Sequence, residues 1–486
     1  MATQREHELP EEGAVAPELP SRFLPAATYR NMPEPRSFKS IFGASIILTA
    51  TAIGSGEFVL WPYITSQVGL VLMWTAVLGF FMQYILNMEI ERYTLATGET
   101  AVTGFTRIWA PLGVIVMLMA IIPNLWPGWA TGAATIVTYV AGAGAPVPIA
   151  IVAMVAIGAA LTLSKVVYQT VERIELVLVG GITVFLVVAV VVGTGLSDWA
   201  AFGASFAYVG QLPPMEEVGG IAALLGAIAF AGAGGGNNLV QSNWVRDKRM
   251  GMGQFLPRVT SPFTGHEEAA AGTGYMFLDS VDNRRRWKAW WRVANVEQFG
   301  TFFVLGCGTL VIMSVLAFGT VYGLPLPEDD FDFIREQGNI FAEQFGGWFR
   351  TSFWVAGTIA LFSTQLGIMD WVSRLTADSL KVTFFRNSTR ITESRIYFVV
   401  VWLLIVAGSA ILLSGTDQPL VLILISSSMG GVVMFLYSML LIYINRRFLP
   451  RAIRLTSWRL VMMFVAVLFY GYFSISLLLD QFGKLF

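Results

Sequence analysis

From about residue 41 onward the chain alternates long apolar windows with short polar segments. The windows run at roughly 41–67, 69–90, 112–140, 147–164, 172–195, 218–243, 294–322, 349–371, 396–414, 419–444 and 459–480. Each is close to the length of about 20 residues that a helix needs to cross a bilayer core. The pattern therefore predicts an all-α integral membrane protein with eleven transmembrane helices. Residues 1–40 are rich in Glu and Pro and poor in apolar side chains. They read as a disordered cytoplasmic tail, without the apolar stretch of a signal peptide.

Composition agrees: 55% of the 486 residues are hydrophobic, only 13% are charged, and the mean hydropathy is +0.65. One cysteine, Cys307, excludes an internal disulfide and a thiolate metal cluster. The two histidines, His7 and His266, fall outside the apolar windows, so no histidine relay crosses the membrane. Charge placement orients the chain. The segments before spans seven, nine and eleven carry the basic residues: Arg246, Lys248, Arg249 and Arg284–Arg286, then Arg374, Lys381 and Arg386, then Arg446, Arg447 and Arg451. The opposite loops carry Asp198, Glu216 and Glu217, then Glu328, Asp329, Asp330 and Asp332, then Asp417. By the positive-inside rule the N-terminus is cytoplasmic and the C-terminus outside, in a multi-pass plasma or inner membrane protein. The sequon at Asn387 then faces the cytoplasm and reads as a chance match, and "RRRWKAWWR" (284–292) reads as a helix end at the membrane surface.

Two windows are interrupted at mid-depth. Span one contains "AIGSGEF" (52–58), and span six contains "LLGAIAFAGAGGGNNLVQSNW" (224–244). Each Gly in a helix interior costs about 1 kcal/mol relative to Ala, so a run of them predicts a break. Glu57 and Asn237, at the ends of the two breaks, lie 180 residues apart (237 − 57), one five-span unit. Paired breaks at corresponding positions of two halves point to the central site of a transporter built from inverted repeats. The expected layout is a 5+5 inverted repeat plus one helix, the LeuT-type (leucine-transporter) fold, with helices 1 and 6 broken. The first repeat spans 41–195, the second 218–444 with a cytoplasmic loop at 246–290, and the eleventh helix and C-terminus occupy 457–486.

The stretch from Gly43 to Gly104, "GASIILTATAIGSGEFVLWPYITSQVGLVLMW…MQYILNMEIERYTLATGETAVTG", resembles the first two spans of the Nramp family of divalent metal transporters. "YQTVERIELVLVGGI" (168–182) and the "NNL" and "QSN" of 237–243 are similar to that family's spans five and six. The resemblance covers about two thirds of the chain and implies the fold and a divalent metal cation as substrate. At the metal site the chain departs from the family. Its Asp-Pro-Gly-Asn motif aligns with Gly54-Ser55-Gly56-Glu57, so Gly54 replaces the liganding Asp and Glu57 the Asn. Its Met-Pro-His aligns with Gly235, Gly236 and Asn237, removing the thioether, and its span-ten Gln falls near "ISSSMGG" (425–431). The acidic pair of its third span has no counterpart in 114–139. The chain thus resembles a divergent, Nramp-related branch.

The residues themselves allow several readings. Glu57 is a ligand or proton site, or else a protonated group bonded to the loosened backbone of span six. With Asn237 and the carbonyls of Ile53 and Gly232 it would form an all-oxygen metal site, suited to Mg²⁺ or Mn²⁺ over Cd²⁺ or Zn²⁺. Gly54, Ser55, Gly56, Gly232, Gly235, Gly236, Asn238 and Ser427 are expected to line the substrate site. Gln83, Asn87, Gln365 and Asp370 either line a pathway or form interhelical hydrogen bonds. Thr49 and Thr51 face the cavity or bond to their own helix, and Glu89, Glu91, Glu172 and Glu175 read as cytoplasmic-end carboxylates. The runner-up function is symport of a small organic solute such as an amino acid, which Glu57 would disfavour by repelling a carboxylate. The sequence has no HExxH or GxSxG motif and no membrane histidine, so it is not expected to be an enzyme. It implies no cofactor and no nucleic acid, and its partners are the cation and the lipid bilayer.

Overall fold

A computed structural model describes residues 10–35, 44–164, 167–259, 273–325 and 331–485. His7, His266, Glu328, Asp329 and Asp330 lie outside the described residues. Among the described residues, nine helices are long and apolar enough to cross a membrane: Ser45–Val68, Ala110–Ala141, Pro146–Leu163, Gln169–Gly193, Val281–Phe318, Gly347–Thr383, Glu393–Leu413, Pro419–Arg447 and Ser457–Phe482. Two further elements occupy the remaining predicted windows. Met73–Thr97 has spanning length but carries Gln83, Asn87, Glu89, Glu91 and Arg92, all buried. The window of span six is divided into Ile221–Ala229 and Gly235–Asp247, each too short to span alone. The chain is thus a multi-pass helical membrane protein.

Helix 347–383 is central. It packs against helix 45–68, helix 110–141, helix 235–247 and helix 393–413. The divided sixth window is the one interrupted helix that was expected. Gly232 (φ +116°), Gly234 (φ +73°) and Gly235 (φ +53°) take left-handed backbone that other residues avoid.

Span one is not broken, which corrects the sequence expectation. Helix 45–68 is continuous, and over Ile53–Leu60 it widens into a π-helix, with the Trp61 N–H bonded to the Gly56 carbonyl. A π segment absorbs an extra residue without freeing the backbone. Its glycines serve close packing instead. A Cβ at Gly54 would collide with the Ala360 carbonyl oxygen and Thr364 Oγ1, and one at Gly56 with the Phe230 carbonyl oxygen. Ser55 Oγ donates back to the Thr51 and Ala52 carbonyls at 3.1 and 3.2 Å. Helix 281–318 carries a second π segment, Phe299–Gly306.

The tail also departs from expectation, since residues 10–35 are packed rather than disordered. Tyr29–Arg30 pairs in parallel with Met276–Phe277, with Tyr29 opposite Met276. Ala16, Leu19, Leu24, Ala27 and Met32 are buried. Arg107 donates to the Pro20 and Pro25 carbonyls at 2.8 and 3.0 Å, and Trp290 Nε1 to the Pro33 carbonyl at 2.9 Å. A few apolar residues and proline carbonyls that meet fixed donors suffice to order a charged segment.

The close approach at Gly56 gives a stability test. Gly56→Ala must push the first helix off the span-six break, an overpacking that costs about 3 kcal/mol or more. Gly180→Ala, on a face with nothing within 4 Å, is the control and gains helix propensity. Thermal unfolding of the purified variants, followed by size-exclusion chromatography, is expected to show a large drop for Gly56→Ala and none for Gly180→Ala.

Candidate functional site

The site is organised by the break between Ala229 and Gly235, where helical bonding stops and carbonyls are left over. Side chains from neighbouring helices take most of them. Gln83 Nε2 donates to the Ala229 and Ala231 carbonyls at 2.7 and 2.8 Å. Its Oε1 accepts from the Gly234 N–H at 3.1 Å and from Asn238 Nδ2 at 3.2 Å. Trp61 Nε1 donates to the Ala227 carbonyl at 2.8 Å. Of the two readings of Gln83, the structure selects the hydrogen-bonding one, directed at the break itself.

Glu57 lies in the π segment, beside Gly56 and its contact with Phe230. It is 0% exposed, and neither carboxylate oxygen has a hydrogen-bond partner. Its Oε1 faces Gly306 in the other π segment, 3.7 Å from where a Cβ would stand. Phe80 packs on the same Gly306, and its ring lies 5.2 Å from that of Phe302. Phe302 in turn lies against Gly232, where a Cβ would meet it at 2.9 Å and Gln83 Oε1 at 2.7 Å. A row of side chains, Phe80 and Phe302, thus stands between Glu57 and Gly232.

The other expected residues are distributed around the half-helix 235–247. Gly235 backs onto Gly430, with 3.0 Å between a Cβ and the Gly430 Cα, and Gly236 onto Trp371 at 2.8 Å. Both are close-packing positions. Asn238 Nδ2 donates to Asn87 Oδ1 at 2.6 Å. Asn237 Nδ2 donates to the Ala233 carbonyl at 3.4 Å, and its Oδ1 has no partner. Ser427 lies away from the break, against Gly226 of the first half-helix, and bonds the Leu424 carbonyl at 3.2 Å. Ile53 is buried at the start of the π segment. Thr49 and Thr51 bond to the Ser45 and Ile47 carbonyls of their own helix.

A second polar cluster went unread in the sequence. Arg374 donates to Asp370 at 2.8 and 2.9 Å and to Asp247. Arg246 donates to Asp378 Oδ1 at 2.9 Å and to Glu393. Trp244 Nε1 and Tyr397 Oη donate to Asp370 at 3.0 and 2.7 Å. Both arginines are 0% exposed. A tally of loop charge assigned them to loops, whereas the four- and eight-residue spacing of Asp370, Arg374 and Asp378 was the available sign of one helical face.

Among the described residues, no group of three or more His, Cys, Asp or Glu is placed to hold a metal ion. A cation at Glu57 would thus have one carboxylate, completed by amide or carbonyl oxygens and water.

No protein-family model and no characterised protein sequence matches the chain. Its fold does match solved structures. A manganese transporter from Eremococcus coleocola, solved as a point mutant, superposes with a TM-score of 0.64 at 12% identity, covering 93% of this chain and 89% of that one. MhsT in complex with L-phenylalanine gives 0.54 at 14% identity, over 92% and 99%. Mhp1, a nucleobase-cation-symport-1 family transporter, gives 0.52 at 14% identity, over 90% and 93%. At these identities the likeness shows the fold, and the chain shares the fold of these transporters.

Gln83 generates the prediction here. Gln83→Leu keeps the side-chain size but leaves the Ala229 and Ala231 carbonyls and the Gly234 N–H without partners. Each orphaned group costs about 1–3 kcal/mol. Thermal unfolding is expected to fall well below wild type, while Asn387→Leu, at an exposed turn residue, changes little.

Proposed function

We propose that this chain is a transporter that carries a divalent metal cation, Mg²⁺ or Mn²⁺, by alternating access, with Glu57 as the charged ligand. One observation carries this reading: a carboxylate buried in a membrane helix, with no hydrogen bond to either oxygen, next to the Gly56–Phe230 contact at the break of span six. Burying an unpaired charge costs several kcal/mol, so such a group is kept where a cation or proton compensates it. The amide and carbonyl oxygens at the break favour hard ions, whereas the Cys307 thiol, next to the Gly306 that faces Glu57, is the one soft donor within electrostatic range of Glu57 among the described residues. The fold shared with a manganese transporter adds support. Among the expected ligands, Asn237 has an unpaired side-chain oxygen, and Gly232 is linked to Glu57 through Phe302, Phe80 and Gly306. The missing acidic pair of span three favours uptake without stoichiometric proton movement.

A second reading, symport of a small organic solute on the same fold, is favoured by the lack, among the described residues, of a group of three or more His, Cys, Asp or Glu placed to hold a metal ion. Structures of this fold bind such solutes, as the complex of MhsT with L-phenylalanine does.

Uptake into proteoliposomes separates the two. Glu57→Gln is expected to lower Mn²⁺ uptake by about tenfold or more. The same variant is expected to unfold at a higher temperature than wild type, because it removes an uncompensated buried charge. Unchanged Mn²⁺ uptake would reject Glu57 as a ligand, and phenylalanine uptake without Mn²⁺ uptake would favour the second reading. Cd²⁺ and Zn²⁺ are expected to compete poorly with Mn²⁺. Tight Cd²⁺ binding by isothermal calorimetry would show that the oxygen donors do not set selectivity.

A further inference from the structure

The polar end of helix 281–318 carries five cations between Arg284 and Arg292. Two of them are used. Arg284 donates to Asp279 at 2.6 and 2.9 Å, and Arg286 donates to the Met32 carbonyl at 2.8 Å and pairs with Glu34. Arg285, Lys288 and Arg292 are exposed, and among the described residues none of the three has an ion pair, hydrogen bond or ring partner. Their three- and four-residue spacing puts them on one stripe of the helix. Asp282, the acid of the first turn, is paired with none of them.

The stripe continues into the membrane as apolar surface. One turn beyond Arg292 stands Val296, then Gly300, Val304, Gly308 and Ile312 at the same spacing, and these form one side of a groove of about 700 Å³. The wider turn of the π segment Phe299–Gly306 keeps residues four apart closer to one line than an α-helix does. Val187 and Val191 of helix 169–193 form the facing side. All four valines are more than half exposed, and a Cβ at Gly300 or Gly308 would meet nothing within 4 Å. The groove therefore opens on the bilayer. From Val296 to Ile312 it follows about 24 Å of helix, more than the roughly 15 Å of one hydrocarbon leaflet. Glu297, at its edge, is buried and accepts from the Ser45 N–H at 3.0 Å.

We propose that this face holds an anionic phospholipid of the surrounding bilayer, with its phosphate on Arg285, Lys288 and Arg292 and an acyl chain in the groove. Charge complementarity selects the headgroup. Three unpaired cations beside one leaflet attract acidic lipid, and a guanidinium can hold two phosphate oxygens at once. The groove selects a lipid over a soluble anion, because only a lipid carries an apolar chain that leaves water when it lies against the valines. The site does not depend on how Glu57 is read.

Native mass spectrometry of the purified full-length chain, titrated in detergent with dioleoylphosphatidylglycerol or dioleoylphosphatidylcholine, tests it. Wild type is expected to retain phosphatidylglycerol about tenfold better than phosphatidylcholine. The triple variant Arg285→Gln, Lys288→Gln, Arg292→Gln is expected to lose that preference. It folds as wild type does, because the three side chains are exposed and their removal strands no partner. Equal retention of the two lipids by wild type overturns the proposal, and so does an unchanged preference in the triple variant. Gly300→Leu fills the groove and keeps all three cations, so phosphatidylglycerol retention is expected to fall by about tenfold. Retention unchanged by Gly300→Leu also overturns the proposal, and shows that the cations take any anion at the surface. Should Gly300→Leu fail to purify as a monodisperse species, Gly308→Leu, at the second open position, carries that arm.

Discussion

Backbone amides at membrane depth must find their hydrogen bonds within the protein, and the organisation of this bundle follows from how that is met between Ala229 and Gly235. Three left-handed glycines let the chain leave the helix there, and a single amide, Gln83, then bridges both sides of the gap. Trp61 caps the first half-helix from the first helix, and the Phe230 carbonyl seats against Gly56. The break is thus the joint at which helix 45–68, helix 73–97 and the two half-helices are tied. It holds its shape because its polar groups are satisfied from outside the chain segment that forms it.

This arrangement explains what could be read from the sequence. The multi-pass class and the interrupted sixth window were legible, because a glycine run inside an apolar stretch has few other uses. The "GSG" of residues 54–56 looked equivalent and is not. Each of its glycines faces a backbone carbonyl of another helix, at Ala360 and at Phe230, and that partner is invisible in one sequence. The same limitation left the partners of the polar face of helix 73–97 unread, although Gln83 and Asn87 were open to the interhelical hydrogen bonds they make. Its charged and amide residues depress its hydropathy, yet they are among the most deeply buried groups in the molecule. The tail at 10–35 was misread for a related reason: its order comes from donors such as Arg107 and Trp290, far away in sequence.

For the candidate site, sequence reasoning named Glu57, Asn237 and Asn238 and gave the glycines around them a ligand-lining role. In the structure Gly54, Gly56, Gly235 and Gly236 are contact points where helices approach closely. The polar residues at the break then divide the work. Gln83 and Asn238 build the joint, whereas Glu57 and the Asn237 oxygen remain unused by it.

That division separates structural from functional charge more sharply than burial does. Arg246, Arg374, Asp247, Asp370 and Asp378 are as buried as Glu57, and each is engaged by a hydrogen-bonded opposite charge. Such a network adds little net stability over apolar packing, but breaking any one pair strands a buried charge, so it restricts how half-helix 235–247 can sit against helices 347–383 and 393–413. A carboxylate with no protein partner has no comparable structural use, because a Leu or Gln of similar size would pack there at lower cost. Glu175 is buried too but accepts from Ser363, whereas neither Glu57 oxygen has a hydrogen-bond partner, and that is what sets Glu57 apart.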